Sequence, residues 1–243
     1  MADTYRVKEM FYTLQGEGAH TGRPAVFCRF SKCNLWNGKE SARAEAVCHF
    51  CDTDFVGTNG QNGGIYTAEE LADKIAQLWP QEVPLQPTDM ASKQTMPAAI
   101  PYVVCTGGEP LLQLDEILIR ALHLRGFEIA IETNGTLPVP EGVDWVCLSP
   151  KGASNIVVDQ CHELKLVYPQ QDAPPHRFDF IQAQHRYLQP MDISALVTAG
   201  LIVTDNESFQ QEGQDTIRAT LAYCMAHPEW KLSMQTHKWL GID

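Results

Sequence analysis

Tyr102-Val-Val-Cys-Thr-Gly-Gly-Glu-Pro110 is a short apolar run that ends in two glycines, an acid and a proline. Val103, Val104 and Cys105 lack the polar alternation of a half-exposed strand, which suits a strand buried on both faces of a parallel sheet. The glycines let a ligand approach the backbone closely. They also stand at the carboxyl end of the strand, where α/β folds bind ligands. Alone, Gly107 to Pro110 reads first as an ordinary strand-to-helix turn. Two more apolar runs end alike: 127–133 leads into Glu132-Thr-Asn-Gly-Thr136, and 145–149 into Ser149-Pro-Lys151. Donors and acceptors thus gather on one rim.

Working outward, residues 5–15 and 25–30 read as strands with alternating faces. Thr67-Ala-Glu-Glu70 is a capping-box signature, followed by Leu71, Ile75, Leu78 and Trp79 at helical spacing. Ile117, Ala121 and Leu124 repeat that spacing, and Gly126 marks the helix end. Ile217, Leu221, Cys224 and Met225 form another apolar stripe, closed by His227-Pro228 before a final strand at 230–235. The order predicts α/β architecture with crossover connections, in one domain spanning 1–243. Residues 80–101, with five prolines, read as an irregular excursion, and the glycine-rich 57–64 as a turn or hairpin. The pattern leaves 192–214 open: 193–203 is apolar enough to be ordered, 204–214 is polar.

The chain of 243 residues carries 30 acidic and 18 basic side chains, a formal charge of −12. That balance offers no general attraction to nucleic-acid phosphates or anionic membranes. Asp3, Arg6, Lys8 and Glu9 break up the first ten residues, and no stretch approaches membrane-spanning length. A cytoplasmic protein is expected, with neither nucleic acid nor membrane as partner. Eight cysteines are too sparse for a disulfide scaffold.

Three of them, Cys33, Cys48 and Cys51, follow the strand at 25–30. Fourteen residues, 34–47, separate the first two, so a long loop must fold back to bring the sulfurs together. Structural zinc takes four protein ligands and leaves nothing open. A cubane iron–sulfur cluster on three thiolates keeps one iron free for a substrate or cosubstrate. Clustered cysteines serve both, and Cys28 or His49 could complete a zinc site. Strand alternation turns Cys28 away from the face of Phe27 and Arg29. Cys28, Cys105, Cys147, Cys161 and Cys224 read as small buried hydrophobes.

Together these residues resemble the radical S-adenosylmethionine superfamily and, within it, the 7-carboxy-7-deazaguanine synthase family. The likeness runs through Phe11-Tyr-Thr-Leu-Gln-Gly-Glu-Gly18, Phe27-Cys-Arg-Phe30, Cys51-Asp-Thr53 and Cys105-Thr-Gly-Gly-Glu-Pro110. It continues through Glu132-Thr-Asn-Gly-Thr136, Ser149-Pro-Lys151, Tyr187-Leu-Gln-Pro190 and Gln235-Thr-His-Lys238. The cluster motif departs: most of the superfamily places three residues between the first two cysteines, and this chain resembles a subset with an expanded loop.

The resemblance implies an incomplete (β/α)6 TIM-like barrel with reduced or irregular helices. It implies ring contraction of 6-carboxy-5,6,7,8-tetrahydropterin to 7-carboxy-7-deazaguanine with loss of ammonia, in queuosine biosynthesis. A reduced [4Fe–4S] cluster on Cys33, Cys48 and Cys51 would cleave S-adenosylmethionine, and the 5′-deoxyadenosyl radical would take hydrogen from the substrate. Phe50 would pack on adenine, and Gly107, Gly108 and Glu109 would hold the amino group. Glu132, Asn134, Ser149, Lys151 and Gln189 would contact the ribose or methionine portions. Thr53 would bind a Mg2+ ion bridging to the substrate carboxylate. A reductant protein such as flavodoxin or ferredoxin and a second copy, as a homodimer, are the implied partners.

A pterin presents a flat donor and acceptor edge plus a carboxylate, so its site wants amides and carboxylates at one end and a cation at the other. Gln15, Glu17, Arg29, Thr106 and His237 supply those types, and the terminal carboxylate of Asp243 is close enough in sequence to join them. Singly, Gln15-Gly-Glu-Gly18 reads as a surface turn and Arg29 as a surface ion pair; within the family the functional reading prevails. Two rivals stand beside it. A glycyl-radical-enzyme activase shares the cysteine and Gly-Gly-Glu-Pro logic but has no use for the Gln15, Glu17 and Arg29 set. A non-catalytic zinc-binding interaction module would carry zinc without sulfide.

Overall fold

A computed structural model describes residues 4–80, 99–202 and 205–242. Most of the proline-rich excursion, and Asp243, lie outside the described residues. The chain opens with β1 (Tyr5–Leu14), β2 (Pro24–Phe30), β3 (Gly64–Tyr66), α1 (Ala68–Leu78), β4 (Tyr102–Gly107) and α2 (Glu116–His123). It continues with β5 (Glu128–Thr133), β6 (Trp145–Leu148), β7 (Gln160–Tyr168) and β8 (Gln182–Pro190). It closes with α3 (Ser194–Thr198), α4 (Asn206–Ala226), β9 (Lys231–Leu232) and α5 (Thr236–Leu240).

The strands form one sheet in the order β3-β1-β2-β4-β5-β6-β7-β8-β9. From β2 to β9 every neighbouring pair is parallel, while β1 pairs antiparallel with β2 and β3. The expected barrel-type α/β fold with reduced helices is present, as an open sheet rather than a closed ring. Only α2 bridges β4 to β5, and β5 passes to β6 and β6 to β7 with no helix between.

Local chemistry explains the elements that do form. The Thr67 hydroxyl accepts the Glu70 N–H while Glu70 accepts the Thr67 N–H at 2.8 Å, so the expected capping box starts α1. Leu71 and Ile75 of α1, with Leu118 and Leu122 of α2, are fully buried against Val103, Cys105, Ile129 and Ile131 of the sheet. Because successive side chains on a strand point to opposite faces, the alternate residues Thr106, Glu132, Cys147, Glu163, Lys165 and Gln189 point away from these helices. That polar face carries the site.

Three expectations change. β7 and β8 are full strands that the apolar pattern does not announce, since polar residues interrupt both. The final strand shrinks to β9, because Trp230 sinks into the core and Ser233 and Gln235 turn to polar partners. The undecided stretch after Asp192 contains α3 and the start of α4. No helix among the described residues is long and apolar enough to cross a membrane.

Candidate active site

The first cysteine is braced by the glycines of the opening motif. Gly107 has φ +127°, and a Cβ there would lie 2.2 Å from the Phe30 carbonyl oxygen. A Cβ on Gly108 would lie 2.0 Å from the Lys32 oxygen and 2.9 Å from Cys33 Cβ. Such approaches admit only glycine. The backbone then ties down: Gly108 N–H donates to Phe30 O at 3.2 Å and Glu109 N–H to Lys32 O at 2.9 Å.

Arg43 folds the long loop back. Its Nη1 donates to the carbonyls of His49 (3.0 Å) and Cys51 (2.8 Å), its other nitrogens engage Glu40, and the guanidinium stacks 4.0 Å above Trp36. The stack and fork suit arginine, whose planar cation serves both at once. As a result Cys33, Cys48 and Cys51, all free thiols, line one cavity. The Cys48 thiol donates to Cys51, which holds Cys51 down at about 7 while Cys48 is pushed up. Burial raises Cys33.

Three soft sulfur donors around a cavity suit an iron–sulfur cube with one open corner. Among the described residues no fourth cysteine and no histidine lines that cavity. Cys28 packs on the helix side of the sheet, as strand alternation requires, and His49 lies edge-on to Phe50. Among the described residues no three His, Cys, Asp or Glu side chains form a ready metal cage. The sulfurs thus line the cavity without a finished ligand geometry.

The rims of β4, β5, β6 and β8 complete this first cavity. Gly107, Gly108, Thr106, Glu132 and Asn134 line it, as do Ser149, Lys151, Gln189 and Phe50. Lys151 Nζ donates to the Ser149 carbonyl at 2.9 Å and also to its hydroxyl. Asn134 Nδ2 donates to Asn34 Oδ1 at 3.0 Å, joining the β5 rim to the cluster loop. Phe50 is buried beside Cys48, Ile193 and Leu196. Glu109 differs from the sequence expectation: its side chain is fully buried and turned from the cavity. Its carboxylate accepts from Thr133 Oγ1 (2.8 Å), Asn134 N (2.8 Å) and Leu111 N (3.0 Å). It fastens the β4 turn to the β5 turn, and burial raises its carboxyl despite these donors.

A second cavity adjoins the first and brings together Gln15, Glu17, Arg29, Thr106 and His237. Glu17, Asp52, Thr53, Thr106, Glu132 and Gln235 line both, so they form the seam. Arg29 pairs with Glu9 across the β1–β2 ladder at 2.7 Å. Gln15 Nε2 donates to Glu132 Oε1 at 3.0 Å, and Gln15 Oε1 accepts the Glu17 N–H at 3.1 Å. His237 arrives on α5, which docks where Thr236 N–H donates to Gly16 O at 3.0 Å. Lys238 reaches Asp52 at 2.7 Å and also pairs with Asp192.

Sequence reasoning missed Lys165. Buried on β7, its ammonium donates to Glu17 Oε2 at 2.5 Å and stands 3.5 Å from Glu132 Oε1. Gln189 and Gln235 donate to the other Glu17 oxygen at 3.1 and 3.0 Å. Burial alone would raise the Glu17 carboxyl, but Lys165, with Gln235 and His237, outweighs it and holds it at about 2. Burial alone would lower Lys165; the surrounding Cys147, Glu132, Glu17 and Glu163 raise it instead.

No protein-family model matches the chain. It is 53% identical over 239 residues to "7-carboxy-7-deazaguanine synthase" of Bordetella pertussis, covering 98% of this chain and 99% of that protein. The protein of that name from Bacteroides thetaiotaomicron is 35% identical over 237 residues, 98% of each chain. Among solved structures, the crystal structure of QueE from Escherichia coli superposes with a TM-score of 0.61 at 25% identity, covering 95% of this chain and 93% of that one.

Proposed function

Because the chain belongs to the 7-carboxy-7-deazaguanine synthase family of radical S-adenosylmethionine enzymes, we propose an assignment of its individual residues to that chemistry. The enzyme contracts 6-carboxy-5,6,7,8-tetrahydropterin to 7-carboxy-7-deazaguanine with release of ammonia, in queuosine biosynthesis. A [4Fe–4S] cluster and S-adenosylmethionine, when bound, supply a 5′-deoxyadenosyl radical that abstracts hydrogen from the substrate.

Cys33, Cys48 and Cys51 hold the cluster. Gly107, Gly108, Asn134, Ser149, Lys151, Gln189 and Glu132 bind the cosubstrate, with Phe50 against its adenine; these residues line the cavity of the three thiols. Glu109 acts behind them by fixing the two turns. In the adjoining cavity Gln15, Glu17 and Thr106 meet the pterin edge while Arg29 and His237 face its carboxylate. Thr53, on the seam beside Asp52, carries Mg2+. Asp243 is a further substrate contact in this reading and lies outside the described residues.

The shared seam carries the proposal. A cosubstrate beside the thiols and a pterin beside Arg29 would meet across Glu17, Thr53 and Thr106, so hydrogen need not cross bulk water. The convergence of Gln15, Glu17 and Arg29 also favours a pterin over the activase reading. One domain fits a sheet continuous from β3 to β9. The protein works in the cytoplasm as a homodimer and takes electrons from a flavodoxin or ferredoxin, without nucleic-acid or membrane partners. Exposed Ile217, Leu221 and Met225 along α4 support the dimer.

Anaerobic incubation of the reconstituted protein with carboxytetrahydropterin, S-adenosylmethionine, Mg2+ and a reductant tests the reading. The deazapurine should form with little net loss of cosubstrate. Stoichiometric cosubstrate consumption without deazapurine would point to an activase, and bound zinc without sulfide to an interaction module.

A further inference from the structure

We propose that Lys165 is a positioning residue that holds the two halves of the site in register: its ammonium pins Glu17, on the loop after β1, beside Glu132 at the end of β5. The inference rests on the pterin reading above and adds a residue to it.

The geometry gives the reason. Glu17 and Glu132 both line both cavities, Glu17 from the loop after β1, next to one edge of the sheet, and Glu132 from the central strand β5. Two partly buried carboxylates that reach the same ammonium at 2.5 and 3.5 Å repel each other unless that cation is present. Lys165 is that cation, and it is itself only 4% exposed. A buried ammonium is tolerated only when paired. The titratable or charged groups that face the pair are Glu17 from the β1 loop, Glu132 from β5, Cys147 from β6, Glu163 from β7 and His237 from α5, while β8 adds only the neutral Gln189. Glu163 accepts the Ala19 N–H at 2.9 Å and the Cys147 thiol at 3.6 Å, so it faces the turn that follows Glu17. Lys165 is the ammonium that bonds Glu17 directly, and the Gln189 and Gln235 amides complete the grip without adding charge.

If Lys165 acts through Glu17, removing it takes away the main influence that holds this carboxyl down, so burial raises it and Glu17 loses part of its power to accept from the pterin edge as pH falls. The test measures binding of the fluorescent analogue 6-carboxypterin to reconstituted holoenzyme, with iron and sulfide contents matched to wild type. K165M should bind at least about tenfold more weakly. The ratio of its affinity to wild type should fall further as pH drops from about 8 to 6. A ratio flat with pH would overturn the inference, since lost packing alone does not titrate.

Should K165M fail to accumulate, the E17Q/K165M double variant decides, because it removes the buried pair together. It should bind 6-carboxypterin within about threefold of E17Q alone. An added loss comparable to a tenfold effect would overturn the proposal. Wild-type protein that binds no pterin would instead remove the substrate assignment itself, so the two failures are distinguishable.

Discussion

Thr53 contributes one hydroxyl to the seam between the cavities, and alanine removes it while leaving the thiols untouched. T53A should keep its iron and sulfide yet lose the stimulation of turnover by Mg2+, by about tenfold or more; an unchanged Mg2+ titration would remove the assignment. Glu17 gives a prediction in pH. Folding lowers its carboxyl from 4.5 to about 2, so the folded state binds fewer protons than the unfolded chain. The Glu17–Lys165 pair therefore stabilises fully above about 4.5, and its contribution fades as pH falls toward 2. E17Q should be less stable than wild type at neutral pH by roughly 3 kcal/mol, a gap that closes in acid; denaturant titrations at several pH values measure it. The three cysteines could be grouped in sequence, but the choice of an iron–sulfur cluster over zinc rests on the other motifs and the family resemblance, since clustered cysteines serve both. Lys165 was not legible, since a lysine within a strand ordinarily marks a solvent face. The direction of Glu109 could not be read from sequence, since it depends on three donors, two of them, Thr133 and Asn134, from the end of the next strand and just after it.

Among the elements, α2 is set by one carboxylate. Asp115 accepts from Ile117 N (3.2 Å) and Leu118 N (3.1 Å) and from the Tyr5 hydroxyl at 2.6 Å, so the helix cap is also the bolt to β1. D115A should cost about 2 kcal/mol in chemical denaturation, more than an isolated cap, with cluster content unaffected. The apolar runs of β4, β5 and β6 could be read directly because both faces of those strands are largely buried. In β7 and β8 the face toward the cavities is polar, through Glu163 and Lys165 and then His185 and Gln189, and the hydrophobic signal is halved. The expected stripe lies on α4, and of its four residues Cys224, beside Tyr223, packs against the main core. Ile217, Leu221 and Met225 are 39%, 47% and 79% exposed. The cysteine loop could not be drawn from sequence, since its shape rests on Arg43 reaching carbonyls six and eight residues ahead.

At the scale of the molecule, the exposed α4 stripe predicts self-association. L221D should convert a dimer to a monomer in light scattering while leaving helical content intact; a wild-type protein already monomeric at micromolar concentration would refute it. The fold class was recoverable because the parallel strands end in chemistry on a single rim. The openness of the sheet was not, because ring closure depends on edges and not on any one residue. The loop after β1 and the segment after β9 meet beside the cavities: Gly18 N–H donates to Ser233 Oγ, Gln235 to Glu17, and Thr236 to Gly16. A chain cut before residue 233 would keep Cys33, Cys48 and Cys51 but lose the partners of Gly16, Glu17 and Gly18 beside the second cavity. A chain truncated before residue 233 should therefore take up iron yet make no deazapurine.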